Sequence, residues 1–537
     1  MKNNRIRLYL LATLLVSLVT ACSPVAPSSS PSPSSSARTE LVLAIGGERA
    51  DGYDPTTGWG RYGSPLFQST LLARDNDLNI VPDLAESYQV SDDGLVWTVR
   101  IRRDVKFSDG QPLTAADVVY TFQTAARSAS VVDLTQLESA IALDDYTVEL
   151  RLKKPQSTFI HRLITLGIVP KHAHGPDYGR NPIGSGPYKL VRWDEGQQLI
   201  VEANPYYYGR KPYFQRLVFL FLGEDAAFAA AQAGQVQVVA VPPALGKQTV
   251  AGMRVLPVSS VDNRGIMFPM VPNTGKQTAD GYPIGNDVTA DRAIRQAINY
   301  AIDRQALVDG VLEGFGAPAY GPVDGLPWWE PATAFKDADL AKARQILTEG
   351  GWADADGDGV LDKNGLRAEF TLVYPASDST RQALALAVAD MVKPLGISIQ
   401  VTGKSWDEIQ TLMHSNAVLF GWGSHDQTEM YNLYHSKMGG QGWYNTGFYA
   451  NPIVDSYLDR ALSAVTEAEA IPYWKKAQWD GTTGFATQGD AAWAWLVNLK
   501  HVYFVSECLD TGRQRIQPHG HGWPITANIV EWTWTCP

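Results

Sequence analysis

The chain has 537 residues, of which 19% are charged and 45% hydrophobic, and a formal net charge of −11. That acidic balance excludes nucleic acid as a partner, because a polyanion is held by basic surfaces. A chain of this length exceeds what one hydrophobic core supports, so at least two lobes are expected.

Lys2, Arg5 and Arg7 precede an apolar run from Leu8 to Val19, and Thr20-Ala21-Cys22 follows. Charged, apolar and small residues in that order read as an export signal over residues 1–21. The run is far shorter than the roughly 20 residues a permanent transmembrane helix needs, and no comparable run occurs later. Val19-Thr20-Ala21-Cys22 resembles the lipobox of bacterial lipoproteins, in which the cysteine thiol takes a diacylglycerol. The resemblance implies that Cys22 is lipidated. Residues 23–38 are almost all Ser, Pro and Ala and cannot bury a core, so 22–39 reads as a flexible tether. The expected location is the outer face of the cell membrane, periplasmic or extracellular. Loss of residues 1–21 removes three positive charges and no negative one, which makes the rest more acidic.

From Thr39 onward, short apolar strands such as Leu41–Ile45 and Thr98–Ile101 alternate with helical patches, a mixed α/β pattern. Asp92-Asp93-Gly94 and Phe107-Ser108-Asp109-Gly110 read as hairpin turns. Thr114-Ala115-Ala116-Asp117 opens a helix with a hydroxyl cap and an early acid. Helical spacing runs from Asp291 to Val308 and again from Ala341 to Leu347. In an exported chain, Cys508 and Cys536 are candidates for a disulfide that pins the tail. The 16 Trp and 23 Tyr suit cores and a cleft with aromatic walls.

Several segments together resemble the family 5 extracellular solute-binding proteins, the peptide and nickel receptors of ABC importers. Pro82–Tyr88 with Ser91–Gly94 and Trp97 is similar to the family's opening hairpin, and Val105–Gly110 through Val118 to its signature segment. Asn181–Tyr188, Asn204–Gly209, Arg295–Arg304 and Asn445 through Asn451-Pro452 with Asp455 continue the likeness in order. It implies a large two-lobed clamshell of the periplasmic-binding-protein kind, with an extra subdomain. The expected lobes are 40–270 with 500–537, and 271–499. The partners implied are a permease and its ATPases, with the receptor itself a monomer that carries no intrinsic cofactor. Gly110, Gly184 and Gly186 are expected at tight turns or positive φ.

In peptide-binding relatives, the place of Phe420–Asp426 has an aromatic residue followed by an aspartate that meets the ligand's α-amino group. Here His425 lines up with that aspartate, and Asp426 follows it. An uncharged imidazole cannot balance an ammonium but is a good ligand for Ni²⁺, Cu²⁺ or Zn²⁺. Gly421–His425 with Glu429–Tyr431 thus resembles the nickel or metal-chelate receptors, and Gly46–Glu48 with Asp54–Tyr62 leans the same way. A one-residue loop shift would return Asp426 to the amine and make the ligand a peptide. Trp422 is expected as an apolar wall, and Arg61 or Lys404 as a partner for a ligand carboxylate. His519 and His521 are further candidate metal ligands beside His425; His172 and His174 are a weaker pair.

Asp354–Asp362 places acids at positions 1, 3, 5 and 9 of a calcium loop, but Gly365 stands where the bidentate glutamate belongs, so a solvated turn is favoured. Enzyme motifs fail on spacing. Gly403-Lys404-Ser405 follows Ser398 rather than the first glycine of a phosphate loop, and Ile183–Gly186 is no nucleophile elbow. A secreted hydrolase is thereby left as a remote alternative, and a stand-alone sensor or chaperone of the same fold as another.

Overall fold

The computed structural model describes residues 38–537 except 50–51, 63–65 and 129–131. The export signal, Cys22 and nearly all of the tether lie outside the described residues. Among the described residues, no helix is long and apolar enough to cross a membrane.

Leu41 and Leu43 alternate along the first strand, Glu40–Ala44, and are fully buried. Their strand pairs in parallel with Arg216–Leu220 on one side and Val238–Val241 on the other. It belongs to an 11-stranded sheet whose centre is two long antiparallel strands, Met253–Met267 and Trp493–Ser506. Outward from Trp493–Ser506 come Val238–Val241, Glu40–Ala44, Arg216–Leu220, Gln198–Ala203 and Tyr188–Asp194. Outward from Met253–Met267 come Ala417–Phe420, Glu369–Pro375 and Ser398–Lys404.

The long strands serve different cores at their two ends. Val258, Tyr503 and Val505 pack with Leu43 and Phe219, whereas Ile266, Leu496 and Val497 pack with Ile298, Leu372 and Leu419. The change falls where the pairing slips, between Ser259 and Asn263. Such an irregularity bends a strand and re-aims its side chains.

A separate four-stranded antiparallel sheet, Ala85–Val90, Val96–Ile101, Thr147–Leu152 and Leu137–Asp144, packs on the helix Ala115–Arg127. Its first two strands meet at the Asp92–Gly94 turn, and the Thr114 N–H donates to Asp117 at 2.9 Å, as their spacing predicts. The α/β class expected from the sequence is the class observed.

Two local expectations need correction. The helix from Asp291 to Val308 is in fact two, Arg292–Ala301 and Arg304–Gly310. Asp303 breaks the run because its carboxylate caps the second helix, accepting from the Ala306 N–H at 2.8 Å. Gly184 has no positive φ; it is small because a Cβ there would lie 2.0 Å from the Phe67 carbonyl oxygen.

Cys508 and Cys536 are joined by a disulfide, with Cα atoms 5.1 Å apart, beside the small strand pair Leu509–Asp510 and Thr533–Trp534. The bond closes a loop with a sequence separation of 28. Cys508→Ser is expected to cost about 3 kcal/mol, through loss of the constraint on the unfolded chain. Urea unfolding with and without reductant checks this, since the variant should match the reduced protein.

Candidate functional site

One cavity of about 220 Å³ gathers residues from widely separated parts of the chain, among them Arg61, Arg74, His161, His425, Asp426 and Arg515. Each is delivered by a local device. Arg61 follows a short 3₁₀ turn, Pro55–Thr57, capped by Asp54, which accepts from the Thr56 N–H at 2.8 Å. The Arg61 guanidinium sits over the Tyr62 ring, 4.8 Å from its centroid. Arg74 ends the strand Leu72–Arg74 and is fixed by donation to the Leu78 carbonyl at 2.8 Å. His161 lies on the helix Ile160–Thr165. Arg515 donates to the Arg74 carbonyl at 3.2 Å.

His425 and Asp426 come from the loop after the buried strand Ala417–Phe420. That loop is gripped from below. The Asn263 N–H donates to the Trp422 carbonyl at 2.8 Å, and the Trp422 N–H donates back to the Asn263 amide oxygen at 3.1 Å. The Gly423 N–H donates to Glu429 at 3.1 Å, and the Gly423 carbonyl accepts from the His519 N–H at 2.7 Å. Gly423 adopts φ +147°, and a Cβ there would stand 2.4 Å from the Val261 carbonyl oxygen. The loop that carries His425 can approach the long strand this closely only through glycine.

The polar residues of the cavity fall into two states. Asp426 is engaged: it accepts from Arg162 at 2.6 Å and from the Thr428 N–H at 2.9 Å. Burial raises its affinity for a proton, but Arg162 and His161 outweigh this and hold the carboxyl below its usual range. His161 is engaged too. Its Nδ1 accepts from Arg74 at 3.1 Å, which leaves Nε2–H to donate to Gln427 at 2.8 Å. His425 is different: among the described residues its buried Nε2 has no hydrogen-bond partner. Burial, assisted by Arg74 and Arg515, lowers its pKa to about 3, so the ring is neutral at physiological pH.

The other predicted residues lie elsewhere. Lys404 ends the edge strand Ser398–Lys404 and pairs with Glu408 at 3.0 Å, apart from the cavity. Trp422 is buried beneath the loop, 5.5 Å from Tyr444 centroid to centroid. His519 binds Asp262 through Nδ1 at 2.5 Å, and its ring is 4.6 Å from that of His521. His425, His519 and His521 do not form one three-donor group; among the described residues only Asp354, Asp356 and Asp358 do. Those three are exposed, and their carboxylates accept from the backbone N–H groups of Gly357, Asp358, Gly359 and Val360, as in a solvated turn. His172 and His174 bind Asp109 and Asp54.

Residues that local pattern did not mark are Arg74, His161, Arg162, Asp262 and Arg515. Asp262 is 2% exposed at the pairing slip and accepts from Arg264 at 2.5 Å, His501 at 3.0 Å and His519 at 2.5 Å. It joins the two long strands to the tail segment 517–519 that borders the cavity.

Residues 79–445 match the family described as bacterial extracellular solute-binding proteins, family 5, middle part. The chain is 35% identical over 492 residues to protein XP55 of Streptomyces lividans, covering 88% of this chain and 86% of that one. It is 31% identical over 428 residues to the oligopeptide-binding protein AppA of Bacillus subtilis, covering 74% and 75%. The solved structure of AppA in complex with a nonapeptide superimposes with a TM-score of 0.74 at 26% identity, over 94% of this chain and all of that one. NikZ from Campylobacter jejuni in complex with Ni(L-His) superimposes with a TM-score of 0.79 at 25% identity, over 92% and 99%. The periplasmic-binding-protein-like fold expected from the sequence is the fold these structures share with it. From the match over residues 79–445 and the likeness to XP55 and AppA along most of its length, the chain belongs to family 5 of the bacterial extracellular solute-binding proteins.

Proposed function

We propose that this family 5 receptor serves an ABC importer and that its cargo is a nickel or other metal chelate. The observation that carries the reading is the neutral His425 ring, its Nε2 unpartnered among the described residues, in one cavity with Arg61, Arg74 and Arg515. An imidazole nitrogen is a borderline donor suited to Ni²⁺, Cu²⁺ or Zn²⁺, and a ring already neutral need not shed a proton to bind one. Guanidinium groups hold the carboxylates that accompany such metals. The likeness to NikZ, solved with Ni(L-His), supports the same direction.

In this reading the chain performs no catalysis. It is exported, anchored through Cys22, and works as a monomer with a permease and ATPases. Its lobes, 40–270 with 500–537 and 271–499, rotate about the two long strands. The change of core near Ser259–Asn263 supports a hinge inside those strands rather than at their ends. Ligand must bind the closed form better than the open one, or capture would convey nothing to the importer.

An oligopeptide is the second reading, favoured by the 31% identity to AppA. Two features weigh against it. Asp426 is bonded to Arg162 and Thr428 rather than awaiting an ammonium. The cavity of about 220 Å³ is small even beside the roughly 300–1,000 Å³ of common small-molecule sites, and an extended oligopeptide needs more room than a compact chelate.

Calorimetric titration of the metal-stripped protein with Ni²⁺, Ni²⁺ plus histidine, and mixed peptides tests the choice. Saturable binding of the nickel chelate is expected, weakened at least about tenfold in His425→Ala, a loss of about 1.4 kcal/mol. Peptide binding indifferent to His425, with no response to nickel, would make the protein an oligopeptide receptor.

A further inference from the structure

The loop that carries His425 is held from two sides. At its near end Trp422 and Gly423 are bonded to Asn263, Glu429 and His519. The far end meets a different core of the protein. Phe420, Trp422 and Met430 pack with Tyr434 and Trp493, whereas Leu72, Leu163 and Ile164 pack with Trp97 under the four-stranded sheet. Arg74 and His161 stand on this second core and reach across to the loop.

Their hydrogen bonds close a ring. Arg74 donates through Nη2 to the His425 carbonyl and to His161 Nδ1, both at 3.1 Å. An acceptor at Nδ1 puts the His161 proton on Nε2, which donates to the Gln427 amide oxygen at 2.8 Å. Gln427 presents that oxygen because its amide nitrogen donates to Glu467 at 2.6 Å. The backbone from Gln427 to His425 completes the ring. Burial lowers the Arg74 pKa, and the charges of Asp426 and Glu467 oppose the change, so anions of one core favour the cation of the other. Along the same seam Arg162 binds Asp426 at 2.6 Å, and the Ser157 N–H donates to the Leu462 carbonyl at 2.9 Å.

Resting on the receptor reading above, we infer that His161 and Arg74 are positioning residues, which place His425 in the cavity through this ring. His161 does so with one nitrogen, Nδ1, which aims Arg74 at the His425 carbonyl. The imidazole that faces the ligand is anchored by one core and aimed by the other.

Two substitutions separate the roles of the His161 nitrogens. Asparagine puts a side-chain oxygen where Nδ1 stands and can accept from Arg74. Glutamine reaches Gln427 from the place of Nε2 but leaves Arg74 without its acceptor. Hydrogen exchange of the protein without ligand, read by mass spectrometry, reports on the loop whatever the cargo is. In His161→Gln and in Arg74→Gln, amides of residues 423–429 should exchange at least about tenfold faster than in the native protein, with the Asp92–Gly94 hairpin unchanged as a control for folding. His161→Asn should restore most of the protection. Equal acceleration in the two His161 variants, or none in Arg74→Gln, overturns the inference.

Calorimetry with the nickel–histidine complex then asks whether His161 acts through His425. His161→Gln should weaken binding at least about fivefold in the native background and have no further effect in His425→Ala. An equal loss in both backgrounds would mean that His161 meets the ligand itself, and would overturn the positioning role. A native protein that ignores the nickel complex yet shows the expected exchange pattern removes the metal reading and leaves this inference standing.

Discussion

Asp262→Asn is expected to destabilise the protein by about 3–5 kcal/mol, the cost of leaving a buried cation without its counter-charge. Asp262 is the anion that Arg264, His501 and His519 share, and it is 2% exposed. Asparagine keeps the shape and removes the charge, so the loss measures electrostatics rather than packing. Burial alone would raise the Asp262 pKa, but Arg264 and His519 hold it well below its usual value. A depressed carboxyl contributes stability above its unfolded pKa of about 4, and that contribution is lost as the pH falls through the folded value. The pKa of His519 is lowered by burial, so its contribution is present above an unfolded value of about 6.5 and is lost on further acidification. Stability of the native protein should therefore fall in two stages on acidification. Chemical denaturation from pH 8 to 3 checks this: the variant should be weaker at neutral pH and lack most of the second stage. Parallel curves for both proteins would remove Asp262 from this role.

Gly423→Ala should all but abolish ligand capture while leaving the protein folded. The Cβ would meet backbone atoms, the Val261 carbonyl oxygen at 2.4 Å and the Asp262 Cα at 2.8 Å, which cannot rotate away as a side-chain tip can. The positive φ adds strain of about 1–3 kcal/mol. The loop must lift off the long strand, and His425 and Asp426 move with it. Affinity for the proposed nickel–histidine complex is expected to fall at least about a hundredfold, a loss of about 2.7 kcal/mol. Unchanged affinity, measured by calorimetry, would mean that this loop does not fix the ligand's position.

Which parts of this were legible in the sequence follows the range of the interactions involved. The hairpin at Asp92–Gly94 and the helix opening at Thr114 depend on residues a few positions apart, and their signals were local and correct. The long helix was overextended because apolar spacing continues through Ile302 and Leu307, while one side chain, Asp303, ends one helix and caps the next. Gly184 was recognised as special for the wrong reason; its neighbour Phe67 is distant in sequence, and proximity leaves no local trace. The site shows the same limit. His425 and Asp426 were found because their loop follows a strand with a family-like pattern. Arg74, which touches the His425 carbonyl across a separation of 351 residues, sits in an unremarkable Leu-Ala-Arg strand. Lys404 had the right charge but spends it on Glu408, four residues along its own chain.

The central position of Trp493–Ser506 bears on the order in which the molecule can be made. A ribosome delivers that strand after every other strand of the sheet, and it must enter between Met253–Met267 and Val238–Val241. Arg515, Pro518, Thr526 and Ile529, which line the cavity, follow later still. Folding thus ends with an insertion rather than an addition at an edge, and contacts this remote in sequence form slowly. Until that insertion the growing chain has exposed strand edges and an unfinished cavity, so any partner that meets it earlier meets a polypeptide without its last central strand.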